Sequence, residues 1–193
     1  MHTIPCVIFA GGKSSRMRED KSLLPFGGFS TLTEFQLHKF QPHFNNVYIS
    51  CKSKEKFAFA ANFIEDNPLY QTSAPFIGLI SVFESLQCDE IFVLSVDTPF
   101  FETEHFEKLL SHNEQNTSII VSKSSTGTQP LCAIYKKEIL PIMIELMAQK
   151  RYRFSGLFDK IPTKYIDFSE DKIFTNLNCP EDYKKALQRS KNG

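Results

Sequence analysis

The sequence predicts a three-layer α/β fold: a mostly parallel sheet flanked by helices. Three observations lead there. Short apolar runs alternate along the chain with helical-looking segments, the β-then-α rhythm of that class. Two of the runs, residues 5–10 and 91–96, are almost unbroken, as strands covered on both faces must be. The composition is 41% apolar with 19 phenylalanines and no tryptophan, and 193 residues suffice for one domain with a sizeable core.

Taken in order, the strands fall at residues 3–10, 46–51, 90–96, 118–122 and 131–135, with a weaker one at 164–167. The helices fall at 33–41, 54–62, 77–86, 103–112, 137–149 and 180–189. The last of these opens on Pro180, a favoured first helical residue, with Glu181 and Asp182 in its first turn where the helix dipole favours acids. There is no internal repeat, low-complexity stretch or linker, so residues 1–189 read as a single domain and 190–193 as a loose tail.

The formal net charge is zero, so nothing global draws this chain to nucleic acid or to an anionic membrane, and any anion site must be built locally. No run approaches the ~18 apolar residues of a membrane span, and no signal-like N-terminus is seen. The five cysteines are scattered, odd in number and without a C-x-x-C pair. They read as reduced core residues of a cytoplasmic protein.

Open α/β sheets bind ligands beyond the carboxyl ends of their strands. Two segments at such ends carry unusual residues. In the first, Val7–Ala10 deliver the chain to Gly11 and Gly12, and Lys13, Arg16, Arg18 and Lys21 follow within nine residues. Glycines let backbone N–H groups approach a ligand and form an anion-binding concavity, and Arg and Lys supply fork and point charges. The combination suits a polyphosphate. It is not a Walker A loop, because Val7 stands where the first glycine is required, nor G-x-G-x-x-G, because Lys13 takes the second glycine's place. A strand-ending turn beside a solvated basic loop is the bland alternative.

The second segment is "EIFVLSVDTPFF", in which a buried strand ends at Asp97 and Pro99 stops the ladder. Asp97 is a candidate Mg²⁺ ligand, since that ion uses one or two carboxylates plus substrate phosphates. The alternative is a residue that only caps the turn. In "FTNLNCPEDY", Asn176 and Asn178 alternate with apolar residues and so point the same way, while Asn178 is also a candidate helix cap. Lys150, Arg151 and Arg153 form a basic cluster, either a solvated helix end or a contact to an anionic second substrate. The histidines form no metal-ligand grouping, and Ser14-Ser15 lacks a nucleophile-elbow setting.

The run Phe9-Ala10-Gly11-Gly12-Lys13-Ser14-Ser15-Arg16-Met17, followed by Asp20-Lys21, resembles the L-A-G-G-x-S-x-R-M…D-K signature of nucleotidylyltransferases. Within them the chain resembles the molybdenum cofactor guanylyltransferase (MobA) family over almost its whole length. "FIEDN", "APFIGLISVF", "LSVDTPFF" and "FTNLNCPEDY" are similar to that family's V-x-x-D, G-P-L-x-G, C-D-x-P and N-x-N-T-P-E-D segments. The departures are Phe9 for Leu, Ser50 for a frequent Asn, Ala74 for Gly, and Arg18-Glu19 where a glycine is usual.

The resemblance implies a Rossmann-like nucleotide-diphospho-sugar transferase fold and the transfer of GMP from GTP to Mo-molybdopterin, with release of pyrophosphate. It implies GTP contacts from Phe9, Ala10, Gly11, Gly12, Lys21, Ser50, Asp66 and Asp97, with Asp97 holding Mg²⁺. Arg16 and Lys21 would neutralise phosphate charge, and Asn176, Asn178 and Arg151 would meet the acceptor. Asp66 either reads guanine or caps the turn ahead of Pro68. A protein that delivers or receives the molybdenum cofactor is an expected partner. Rival readings are a molybdopterin cytidylyltransferase or sugar-1-phosphate nucleotidylyltransferase of the same fold, and a non-catalytic nucleotide sensor.

Overall fold

A computed structural model describes residues 1–11, 19–70 and 74–190 of the chain. In chain order the elements are β1 (Cys6–Phe9), α1 (Leu32–Phe40), β2 (Val47–Cys51), β3 (Asn62–Glu65), α2 (Pro75–Ser85), β4 (Glu90–Ser95), α3 (Thr103–Leu110), β5 (Ile119–Ser124) and β6 (Gly127–Lys136). Then come α4 (Leu140–Ala148), α5 (Phe154–Phe158), β7 (Thr163–Asp167) and α6 (Pro180–Ser190). The strands form one seven-stranded sheet in the order β3-β2-β1-β4-β6-β5-β7. β6 runs against both its neighbours, and every other pairing is parallel. This is the mixed, mostly parallel α/β architecture that the residue pattern predicts.

The two-residue period of the strands divides the core into two layers. Cys6, Ile8, Phe92 and Leu94 face the side covered by α1, α3 and α6, whereas Val7, Phe9, Ile91 and Val93 face α2, α4 and α5. Phenylalanine fills the first layer: the Phe92 ring lies within 6.2 Å of those of Phe40, Phe44, Phe101 and Phe106. Burying such a side chain contributes about 1.5–3 kcal/mol.

Residues 54–62 are not a helix. A 3-10 turn at Lys54–Lys56, capped by the Ser53 side chain, is followed by extended chain and then β3. Its Ala, Lys and Glu content favours helix, but Phe57, Phe59, Ala61 and Phe63 alternate with period two and pack as a row onto the α1 side of the sheet. The Phe57 and Phe63 rings stack at 5.3 Å. Burial of that row overrides helix propensity. Short α5 lies in what the sequence suggests is a solvated helix end, because Phe154 packs on Phe76 and Tyr135. Ser190 completes α6, and residues 191–193 lie outside the described part of the chain.

Candidate functional site

From β1 the chain winds outward through β2 to β3 and then returns to place β4 on the other side of β1. That reversal opens a crevice at the carboxyl ends of β1 and β4, the place where open α/β sheets bind ligands. A cavity of about 300 Å³ occupies it, lined in part by Ala10, Gly11, Lys21, Ser50, Asp66 and Asp97. Thus the glycine-bearing end of β1 and the aspartate past β4 share one crevice. Gly12 and Arg16 lie outside the described residues, as do Lys13 and Arg18.

Lys21 opens a 3-10 turn at Lys21–Leu23 whose cap is Asp20; the Asp20 Oδ1 accepts from the Ser22 N–H at 3.0 Å and its hydroxyl at 2.7 Å. This turn aims the Lys21 Nζ across the crevice, where it donates to Asp97 Oδ2 at 3.2 Å and to Asn178 Oδ1 at 2.9 Å. The other Asp97 oxygen accepts from the Ser95 hydroxyl at 2.6 Å. The C-terminal segment is tied to the same point, since the Leu177 N–H donates to the Asp97 carbonyl at 3.3 Å.

For three of these residues, neighbouring groups make the local turns or caps. Thr98, through its N–H and hydroxyl to the Ser95 carbonyl, closes the turn after β4, which leaves the Asp97 carboxylate facing the cavity. Asn67 makes the turn around Pro68, accepting from the Leu69 N–H at 3.1 Å, so the Asp66 side chain also faces the cavity. At α6 it is Asp182 that caps, accepting from the Asn178 and Cys179 N–H groups, and the Asn178 side chain is given to Lys21.

The walls are referenced to α1. Thr33, fully buried, donates to the Ser22 carbonyl at 2.7 Å. Gln36, also fully buried, donates its amide to the carbonyls of Val96 and Thr98, which flank Asp97, at 3.4 and 3.0 Å. Lys39 donates to the Pro99 and Phe101 carbonyls and to Glu102; burial pushes its pKa down, and Glu102 partly offsets that.

Phe9 and Ala10 are held by the sheet: the Phe9 carbonyl accepts from the Val96 N–H, and the Ala10 N–H donates to the Ser50 carbonyl. Burial raises the Asp66 carboxyl above the usual range, against the smaller opposing pull of Lys52. Asn176 and Asn178 do not line the cavity; Asn178 joins it through Lys21. Arg151 is exposed at the end of α4 and is not brought to the cavity, so the structure does not gather it with the other candidates.

Sequence reasoning missed several cavity residues. Gly78, inside α2, sits where a Cβ would come to 3.0 Å from the Phe9 ring and 3.4 Å from Asp66 Oδ1, so a glycine there keeps the cavity open. It stands at the second glycine of the G-P-L-x-G segment, a position given no role from sequence. Leu131 reaches the cavity because the β5–β6 register breaks between Val121 and Ser122, and Pro130 within the strand was the available sign. Asp20 also lines the cavity although only its neighbour Lys21 was assigned a role. Nothing in the local sequence pointed to Gln36 or to Lys56, which reaches the same region from beyond β2.

Asp97 suits a hard cation in one specific way. Among the described residues no group of three or more His, Cys, Asp or Glu side chains is placed to hold a metal ion unaided. A single carboxylate of this kind suits Mg²⁺ where a ligand's phosphate oxygens and water supply the remaining positions.

Residues 6–159 match the family model described as a MobA-like NTP transferase domain. The chain is 36% identical over 185 residues to a protein named molybdenum cofactor guanylyltransferase from Campylobacter jejuni subsp. doylei, with 96% of each chain covered. It is 30% identical over 195 residues to one so named from Helicobacter pylori strain G27, covering 98% of this chain and 94% of that one. Among solved structures, molybdopterin-guanine dinucleotide biosynthesis protein A from Archaeoglobus fulgidus superposes with a TM-score of 0.84 at 19% identity, over 98% and 100% of the two chains, which supports the fold. With this match running through both walls of the crevice, the chain belongs to the MobA-like NTP transferase family and is a nucleotidyltransferase.

Proposed function

We propose that this enzyme transfers GMP from GTP to Mo-molybdopterin, forming molybdopterin guanine dinucleotide and pyrophosphate. The reading follows the full-length relatives, and one observation carries it at the site: Lys21 and Asp97 meet at 3.2 Å in the crevice that Gly11 lines. A cation and a cation-binding carboxylate beside a glycine turn is what a nucleoside triphosphate needs.

An oxygen of the acceptor's terminal phosphate attacks the α-phosphorus in line. The new P–O bond forms as the α–β bridging P–O bond breaks, and its electron pair leaves with pyrophosphate. Both reactants are anions, so the protein's task is charge cancellation and alignment rather than proton transfer. The attacking phosphate is already ionised near neutrality, so no general base is required. Lys21, Arg16 and the N–H groups of Gly11 and Gly12 take the triphosphate charge in this proposal. Asp97 would hold Mg²⁺, which supplies charge neutralisation and a template for phosphate oxygens. Asn178 holds the Lys21 ammonium at 2.9 Å from the acceptor side of the site. Asp66 accepts from the guanine N1–H and exocyclic amine, with Ser50, Phe9 and Ala10 forming the adjoining surface; Asn176 belongs with the acceptor.

A cytoplasmic location is part of the proposal, in keeping with five scattered cysteines without a C-x-x-C pair. Among the described residues no helix is long and apolar enough to cross a membrane. A delivery or acceptor protein for the cofactor is expected to bind the finished product.

The test is pyrophosphate release from GTP, CTP, ATP and UTP, each with Mg²⁺, with and without Mo-molybdopterin. Release from GTP alone, dependent on the acceptor, is expected. Selectivity for CTP, or use of a sugar phosphate as acceptor, would move the assignment to a relative of the same fold. GTP binding seen as a raised melting temperature with no release would indicate a sensor.

A further inference from the structure

Lys56 lies outside every motif that carries the family resemblance, yet it is the residue that ties the nucleotide crevice together from behind. It ends the 3-10 turn between β2 and β3. Its ammonium donates to the Ala10 carbonyl at 3.0 Å, to Asp20 Oδ2 at 2.7 Å and to the Ser22 hydroxyl at 2.9 Å. Three donors meet three acceptors, and the ammonium also lies 4.9 Å from the Phe57 ring centroid. Ala10 and Asp20 stand on either side of residues 11–19 in the sequence, so one ammonium is bonded to the chain at both points.

The chemistry of the cavity makes that charge matter. Asp20 lines the space in which a triphosphate would sit, and a carboxylate there repels it. Burial works against the Asp20 charge, but hydrogen bonding and attraction from Lys56, with help from Ser22, hold its carboxyl below the usual value, so it is ionised. Asp20 therefore needs a counter-charge whenever a polyanion enters. Lys21 is engaged with Asp97 and Asn178 on the far wall. The Lys56 and Asp20 side chains are 24% and 35% exposed, so solvent screens the pair only in part. Its effect falls on the potential inside the crevice.

We infer that Lys56 is a positioning residue for the nucleoside triphosphate, which cancels the Asp20 charge and fixes the two ends of the glycine stretch so that the crevice accepts a polyanion. This deepens the functional reading above and rests on it. Lys56 touches no substrate in this scheme; it acts through Asp20 and Ala10.

The test measures GTP KM, kcat and melting temperature for the parent, Lys56→Met, Lys56→Gln and the double variant Lys56→Met/Asp20→Asn. One uncompensated charge near a polyphosphate at intermediate dielectric raises GTP KM about tenfold in both single variants, with kcat much less affected. The rise shrinks as salt is added, because the repulsion is screened. The double variant, with no charge left to cancel, returns most of the lost affinity. Lys56→Gln keeps a donor without the charge and provides the same readout if the methionine variant does not fold. Parental KM in either single variant overturns the inference. So does a raised KM that neither salt nor Asp20→Asn relieves, which would mark Lys56 as scaffolding alone. Failure of the parent to use GTP at all would instead sink the functional reading, so the two failures are told apart.

Discussion

Replacing Gly78 with alanine separates stability from substrate affinity. Gly78 lies in the interior of α2, where alanine is favoured over glycine by roughly 0.5–1 kcal/mol. The added Cβ would stand 3.0 Å from the Phe9 ring, 3.4 Å from Asp66 Oδ1 and 3.5 Å from the Ser50 hydroxyl. The ring contact is tight enough to force a shift of a few tenths of an ångström, an overpacking penalty at the low end of ~1–3 kcal/mol. The two terms nearly cancel, so urea unfolding should give a stability within about 1 kcal/mol of the parent. Affinity has no such compensation. The methyl projects into a cavity of about 300 Å³ between the residues proposed to meet the base. One methyl group in a fitted pocket changes discrimination by ~1–3 kcal/mol, or about 10–200-fold. GTP KM in the pyrophosphate-release assay should rise within that range, with the melting temperature hardly moved. A variant that binds GTP as the parent does would refute the placement of the nucleoside beside α2. A variant that loses several kcal/mol of stability would refute the strain reasoning.

Three further outcomes are expected. Asp97→Ala and Lys21→Ala should each lower turnover by roughly 10²–10³ with folding intact, the size of one lost preorganised electrostatic contact; parental turnover at saturating Mg²⁺ and GTP would remove that residue from the mechanism. Asp66→Asn should raise the melting temperature at pH 7 while weakening GTP binding. Burial raises the Asp66 pKa, so the folded state binds its proton more tightly than the unfolded chain, and the stability present at low pH is lost as pH rises through the raised value. The stabilising effect of the asparagine should therefore vanish below the ordinary carboxylate range, and a pH-independent effect would contradict this. Gln36→Glu, nearly isosteric, removes the donors that the Val96 and Thr98 carbonyls now receive, and should cost at least about 2 kcal/mol in denaturant unfolding as well as turnover.

Much of this architecture was legible where a residue's own chemistry dictates its place. Residues 5–10 and 91–96 admit little but buried parallel strands, and β1 and β4 pair side by side. The glycine turn and Asp97 each announce a strand exit, and the sheet order then brings Gly11 and Asp97 to one cavity. What failed was information carried by distant partners. The 54–62 stretch has helix-forming residues, and only the sheet edge that Phe57 and Phe63 join makes it extended. Gln36 and Lys56 look like ordinary surface residues until the carbonyls they serve, sixty and forty-six positions away, are known. Arg151 is exposed and outside the cavity, so the cavity lining does not separate a solvated basic end from a contact to an anionic second substrate.

Three polar side chains of α1, Thr33, Gln36 and Lys39, have a consequence for how this enzyme tolerates motion. Thr33 fastens the segment behind Lys21, while Gln36 and Lys39 fasten the segment around and beyond Asp97. Both jaws are thus fastened to one helix as well as to each other through the Lys21–Asp97 contact and the β1–β4 pairing. When the strands flex or the outer helices are redecorated, the jaws travel as a unit and their gap is conserved. Drift in the rest of the surface is free to accumulate without detuning the distance over which phosphoryl groups change hands.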